Sequence, residues 1–532
     1  MNWLRLILLS LLLASPLSHA SDNATFDQGV EQLKDGNFKI KLQGVEGIAT
    51  SGHPNAARLL GHLLQGELFY RKQDQKLVIG IKDGRRYQIA DALSAESLGI
   101  VKKRELEKIR LNNQLRGQIR SAIATLNLSN PDTSVRLAGV NQLLDKPDPN
   151  AVDVVRKQLA KESDPAVIEA MRTLIALEDL KADDTTRVLA AIQQLAGDLR
   201  PAARNGLTYL AEQGADKQTR QAARKALAAI ETRLQLNELT ETLFFGLSLG
   251  SVLVLAAIGL AITFGVMGVI NMAHGELIML GAYTTYIVQL LMPNHIDFSL
   301  FVAVPAAFIV SGLVGIAIER GVIRFLYGRP LETLLATFGI SLILQQLVRT
   351  AISAQNVAVE NPSWMSGSLE INAVLSLTYN RLYIIFFALL VFTALQLVLK
   401  KTALGLQVRA VSQNRAMARA MGVRSAWVDA MTFGLGSGIA GVAGVALSQL
   451  TNVGPNLGQA YIIDSFMVVV FGGVGNLWGT LVAGMSLGVA NKFIEPWAGA
   501  VLAKILMLVF IILFIQKRPR GLFPQKGRAA EG

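Results

Sequence analysis

Between Ile270 and Leu277 an apolar stretch is interrupted by Asn271, Met272, Ala273, His274, Gly275 and Glu276, which sets an amide, an imidazole and a carboxyl side by side. Polar groups inside apolar sequence are tolerated where they are buried in protein or line water, and a chain break there frees the N–H groups that open the next helix. Such groups can replace the water around a polar solute. A second interruption, Gly472-Gly473-Val474-Gly475-Asn476, again ends in an asparagine suited to cap a helix. Two broken segments, one near each end of the apolar half, point to a central pathway that includes Asn271, His274, Gly275, Glu276, Gly472, Gly473 and Asn476. Asp464 adds a charge within a late apolar run. Lys492 and Glu495, one helical turn apart, read as a local pair, and Lys504 as a cation that snorkels.

A second constellation is basic. Gly405, Arg409, Asn414, Ala418 and Gly422 recur at about four-residue spacing, with Arg415, Arg419 and Arg424 between them. A short helix with small residues on one face and arginines elsewhere fits a groove of a partner, with Gly422 ending it. Catalysis finds no support. Cysteine is absent, and His53 and His62 stand without a carboxylate at a metal-ligand or general-base spacing, so no metal site and no catalytic residue is expected. There is no GxxxxGK[ST] phosphate loop, so any ATP-driven step needs another polypeptide and this chain binds no cofactor.

These residues need elements to hold them. Of 532 residues 51% are hydrophobic and only 17% charged, which excludes a disordered chain or an ordinary soluble enzyme. The long apolar runs lie after residue 240, whereas residues 21–239 mix charged and apolar residues. Residues 1–20 read as a secretory signal, with Leu6 to Ala14 as its apolar core and Ser18 and Ala20 as the small residues at the −3 and −1 positions of a cut after Ala20; the alternative is an uncleaved first membrane helix. Residues 21–239 are then an exported, mainly helical domain. It contains a small β-meander from Glu67 to Ala90 and, beyond Leu98, helices in which Pro131, Pro165 and Pro201 recur as in a HEAT-like stack. That stack is either a docking surface or a spacer.

Residues 240–523 form an all-α polytopic membrane domain, followed by a tail at 524–532. Seven long apolar runs and two short ones, Ile462 to Phe471 and Leu477 to Ala490, give nine crossings, or seven with the short pair re-entrant. Arg320, Arg324 and Arg329, the basics from Lys400 to Arg424, and Lys517, Arg518 and Arg520 mark the cytoplasmic side. The net charge of +12 is thereby explained by topology, and nucleic acid is not an expected partner.

Ile270 to Glu276 with Leu280-Gly281-Ala282-Tyr283, the loop from Gly405 to Val423, and Phe471 to Gly479 resemble the bacterial ABC permeases of the branched-chain amino acid (LivH) type. The likeness spans roughly Thr242 to Phe523. Within that family the exported domain, Thr333 to Ile340 and Trp364-Met365-Ser366-Gly367 are similar to urea permeases of the UrtB type. The resemblance implies an inner-membrane permease that works with a second permease subunit, cytoplasmic ATPase subunits that use ATP, and a periplasmic solute-binding protein. It makes the loop around Arg409 to Gly422 a coupling helix, although Ala416 stands where the general permease pattern has Glu. Urea is neutral, so amides and backbone groups can carry it without a buried counter-charge. A branched-chain amino acid or short amide as solute, and a passive urea or water channel, remain the alternatives.

Overall fold

A computed structural model describes residues 17–83, 86–145 and 149–523. The secretory stretch 1–20 lies outside these residues except for 17–20, as do Gly84 of the expected hairpin turn and the tail 524–532. The chain is mainly helical and divides into two compact units, residues up to Arg233 and from Leu234 onward, with the division falling inside one long helix.

The first unit opens with α1 (Leu17–Gln32), α2 (Phe38–Thr50) and α3 (Ala56–Gln65), whose apolar faces share a core with one face of an antiparallel sheet. The sheet has strands β1 (Leu68–Arg71), β2 (Leu77–Asp83), β3 (Arg86–Asp91), β4 (Ser97–Lys102) and β5 (Leu106–Lys108), in the order β4-β3-β2-β1-β5. It is larger than the meander expected from the sequence, and the expectation of helix from Leu98 onward is overturned. Leu98 and Val101 pack with Phe69, Val78 and Ile89 on the sheet's second face, and because the pairing of β3 with β4 shifts register beside Leu98 they stand three residues apart, without the strict alternation by which a strand is read from sequence.

Helices follow from Asn113: α4 (Asn113–Asn127), α5 (Thr133–Asp145), α6 (Pro149–Leu159), α7 (Pro165–Asp179), α8 (Thr185–Leu195) and α9 (Pro201–Gln213). Pro165 and Pro201 occupy first-turn positions, where a missing N–H costs nothing. Asp164 and Asp184 accept hydrogen bonds from the N–H groups behind them. His62 and Glu67 pair at 2.9 Å across the end of α3, a partner that the spacing alone did not suggest. Among the described residues no three His, Cys, Asp or Glu groups cluster as metal ligands.

The second unit contains the membrane part of α10 (Lys217–Met267), then α11 (His274–Leu291), α12 (Ile296–Gly321), α13 (Pro330–Ala351), α14 (Tyr379–Lys401), the short α15 (Ala403–Gln413) and α16 (Arg415–Ala420), α17 (Ser425–Ser448), α18 (Leu457–Gly472) and α19 (Leu477–Lys517). Among the described residues six helices are long and apolar enough to cross a membrane. The most apolar windows of α10 and α17 are largely buried, whereas those of α12, α13, α14 and α19 are largely not. Glycines 436, 438, 441 and 444 lie where α17 meets α10, α12 and α11.

The 41 residues of α19 are two arms. Gly499 takes φ 76° and ψ 160°, outside any helix, three residues after Pro496. The arms return on themselves: Asn476 Nδ2 donates to Phe523 O at 3.2 Å, and Phe523 N to Gly472 O at 3.1 Å. The first arm runs antiparallel to α10, with Val489 against Gly246 and Gly475 against Gly265. The second runs alongside α18, with Phe514 stacked edge-on against Phe471 at 4.8 Å. The ends near 472–476 and 517–523 share one face of the unit with Lys517, Arg518 and Arg520. We call it the basic end.

In the first unit Arg136 donates from Nε and Nη2 to both oxygens of Glu162, at 2.8 and 2.9 Å, bridging α5 to the turn before α7. The guanidinium holds the Glu162 carboxyl down to about 2. A depressed carboxylate stabilises fully above its unfolded value of about 4.3 and loses that contribution as pH falls through about 2. Amides of α5 and α7 are therefore expected to exchange more slowly in the wild-type chain than in Glu162→Gln at neutral pH. That gap, measured at matched pH, should close on acidification; a gap that persists in acid contradicts the pairing.

Candidate functional site

Two helices of the second unit begin in its interior. His274, the first residue of α11, hydrogen-bonds through Nε2 to the carbonyl of Ala256 at 2.8 Å, eleven residues before the end of α10. The chain therefore climbs back along α10 through 268–273 before α11 starts. Opposite it, α18 starts after a non-helical stretch, 449–456, and its second residue, Gly458, lies against Gly275, the second residue of α11. The contact is backbone on backbone. A Cβ at Gly275 would lie 2.6 Å from Gly458 O, and one at Gly458 would lie 2.0 Å from Gly275 O. From this meeting point α11 runs away from the basic end, and α18 runs toward it and closes on Phe523. Two helix N-termini thus converge inside the unit, each with the positive end of a helix dipole, and at α11 the N–H groups of Ala273, His274 and Glu276 are taken by Asn271 Oδ1 and by the carbonyls of Asn271 and Ala273.

Polar side chains close around this point. Glu276, 1% exposed, accepts at Oε1 from Ser341 Oγ at 2.9 Å and from Gln345 Nε2 at 2.7 Å. The N–H of Met272 donates to Thr337 Oγ1 at 3.1 Å, and Asn271 Oδ1 accepts from Ala273 N. Three of the described buried atoms without a hydrogen-bond partner are in this cluster: Asn271 Nδ2, His274 Nδ1 and Glu276 Oε2. With His274 Nε2–H donating to Ala256 O, the open Nδ1 is an acceptor. The cluster therefore offers amide and hydroxyl donors beside carboxyl and imidazole acceptors, and Glu276 has no Lys or Arg among its hydrogen-bond partners.

The partners on α13 were missed by the sequence reading. Thr333, Thr337, Ser341 and Gln345 are all buried, four residues apart, on a helix that otherwise exposes Leu, Ile and Phe. That period of polar residues in an apolar segment was legible; it marks the face turned inward.

The other pathway residues lie elsewhere. Asn476 accepts from Gly479 N at 3.2 Å and so caps α19, while Gly472 and Gly473 end α18 against Phe523, all at the basic end. The interior break that answers 268–273 is thus 449–456, not 472–476. Asp464 faces Lys504 of the second α19 arm at 3.1 Å, so Lys504 is paired within the protein, and Lys492 pairs with Glu495 at 2.6 Å.

The basic loop folds as two helices, α15 and α16, broken at Asn414, whose side chain caps α16 through Met417 N. Arg415 donates to both oxygens of buried Asp429 at 2.8 Å and lies over the Tyr327 ring; Arg419 donates to Ser425 Oγ at 2.7 Å. Gly405 packs on Leu399, Arg409 donates to the Leu399 carbonyl, and Ala418 is buried against the apolar face of α15 and Val428. Gly405, Ala418 and three of the arginines, Arg409, Arg415 and Arg419, are thus engaged by the protein itself. What faces out is Leu406, Met417 and, at 78% exposure, Met421, beside the turn at Gly422.

Residues 242–515 match the family described as the permease component of the branched-chain amino acid transport system. The chain belongs to that family. The permease is 32% identical to the high-affinity branched-chain amino acid permease LivH of Salmonella typhimurium over 291 residues, 53% of this chain and 94% of the relative. It is 31% identical to LivH of Escherichia coli over 291 residues, with the same coverage, and 30% identical to BraD of Pseudomonas aeruginosa over 286 residues, 52% of this chain and 93% of the relative. No solved structure matches the permease. Its relatives are transport subunits, not enzymes, and with its apolar helices it is a multi-pass membrane permease.

The Gly275–Gly458 contact predicts an asymmetry between two glycine substitutions. Gly458→Val forces apart the two half-helices at an overpacking cost of about 1–3 kcal/mol or more, and the solubilised permease should unfold at a lower temperature. Gly339→Ala on α13, where a Cβ meets nothing within 4 Å, should unfold at or slightly above the wild-type temperature. Equal melting of the two variants contradicts the close approach.

Proposed function

We propose that this permease is the membrane subunit of an ABC importer that carries urea or a close small amide across the bacterial inner membrane. ATP is hydrolysed by separate ATPase subunits, a second permease subunit completes the membrane part, and a periplasmic binding protein delivers the solute. The observation that carries this reading is the convergence of two helix N-termini on a cluster of neutral hydrogen-bonding groups around one carboxyl. Urea has donors on two nitrogens and an acceptor oxygen, and amide, hydroxyl and imidazole groups can take the place of its water. A zwitterionic amino acid asks for a free cation there as well, whereas the hydrogen-bond partners of Glu276 are neutral and the guanidinium whose charge reaches it, Arg349, donates to Asn456 at 2.7 Å.

The basic end is cytoplasmic on this reading, because Lys and Arg gather there. Met417 and Met421 beside α16 form the face that an ATPase covers, with Arg415 and Asp429 fixing α16 to α17. The residues before 240 form an exported unit that docks other components of the importer. A second reading, a branched-chain amino acid as solute, is favoured by what the relatives are named for.

Labelled urea and leucine uptake in cells with and without the permease, before and after ATP depletion, tests both. Urea uptake is expected to need the chain and ATP, to fall to background with Met421→Asp or Gly422→Arg, and to leave leucine uptake unchanged. Loss of leucine uptake alone moves the solute to an amino acid, and urea flux that ignores ATP and both variants means a channel.

A further inference from the structure

We infer that the permease holds a second solute chamber, enclosed by α10, α18 and the two arms of α19, that takes a net-neutral solute with adjacent N–H donors and a carbonyl acceptor. A cavity of about 210 Å³ lies there, apart from the Gly275–Gly458 contact. Its polar wall is Tyr461, Asp464, Asn491, Lys492, Glu495 and Lys504, and its remaining wall is aliphatic and thioether side chains from all three elements. Two carboxylates and two ammonium groups therefore face one space.

Charges within a membrane-spanning segment are sustained where they pair with one another or line water. Both conditions hold here. Lys504 meets Asp464 at 3.1 Å and keeps half of its side chain exposed, and Lys492 meets Glu495 at 2.6 Å. The two pairs differ in kind. Lys492 and Glu495 sit one turn apart on a single arm, whereas Asp464 and Lys504 join α18 to the other arm, so the second pair can part when those elements shift.

A molecule such as urea fits between them without changing the charge of the chamber. Two of its N–H groups donate to the Asp464 carboxylate, and its carbonyl oxygen accepts from the Lys504 ammonium. A solute of net charge would leave one of four charges unmatched in a low-dielectric wall, which is the expensive case, and a zwitterion, though net neutral, must shed the water of two full charges to enter where urea sheds that of neutral groups alone. The chamber thus selects on charge balance and on donor-acceptor geometry, and it gives the solute a station on α18 before or after the polar cluster at its first turn.

This inference rests on the urea reading, and its test separates the two. The chain has no cysteine, so Leu249→Cys, or Asn491→Cys as a second position, reports on the chamber through its rate of modification by a small thiol reagent in membranes that hold the assembled importer. Urea at twice its dissociation constant is expected to slow modification about threefold, leucine to have no effect, and the slowing to vanish when Asp464→Asn or Lys504→Met is added. Unchanged modification in urea, in cells that still take up urea through the permease, overturns the chamber and leaves the function. Slowing by leucine, with no urea uptake, overturns both. Two positions that stay unmodified show a chamber closed to water and overturn it as well.

Discussion

Two helix backbones touch only where neither carries a side chain, and the meeting of Gly275 with Gly458 is the constraint from which the membrane unit is built. It requires α11 and α18 to start inside the unit. Helices that start there leave first-turn N–H groups away from bulk water, where each unpaired group costs several kcal/mol. At the break that opens α11 side chains meet two of them, Thr337 Oγ1 accepting from Met272 N and Asn271 Oδ1 from Ala273 N, while Ser341 and Gln345 donate to Glu276 in the first turn itself. The long helices α10 and α17 surround this centre and are buried for that reason, and the more exposed α12, α13 and α14 close it from outside. A permease needs a polar interior that does not collapse, and the glycine contact supplies it through packing alone.

Much of this was legible because apolar length and polar interruption are properties of the chain itself. Asn271 to Glu276 stood out as six residues that no membrane helix would carry without a reason, and the structure puts them at the start of a half-helix. The second half-helix was not legible in the same way. Gly472 to Asn476 has the more conspicuous glycines, yet these serve a turn at the basic end, while the true counterpart, 449–456, looks like an ordinary polar loop. A loop that dips into the interior and a loop that stays outside have the same composition when protein, not lipid, surrounds both. The α19 hairpin was legible as two apolar runs, Leu477 to Ala490 and Ala498 to Ile515, and the structure puts the break between its arms at Gly499, at the start of the second run.

The basic loop teaches a related lesson about arginine. Spacing placed Arg415 and Arg419 on a helix, but it could not say that their partners would be Asp429 and Ser425, on the first turn of α17. Asp429 is nearly inaccessible, and a buried carboxylate demands a bidentate cation, so Arg415 is drawn inward. The exposed surface is left to Met417 and Met421, flexible side chains suited to a mobile contact. Arg415 thereby ties α16 to α17, whose other end is followed by 449–456, the stretch that leads into α18.

The turn from Arg518 to Phe523 has a temporal meaning. Leu522 N and Phe523 N donate to the carbonyls of Phe471 and Gly472, the last two residues of α18, and Phe523 O accepts from Asn476. Helix carbonyls at that end have no partner within α18 itself. During synthesis α18 is complete some fifty residues before its terminal carbonyls can be satisfied, and the α19 hairpin must be threaded in both directions in between. The basic end is therefore the last part of the membrane unit to close, after the interior around Gly275 and Gly458 has already been able to form.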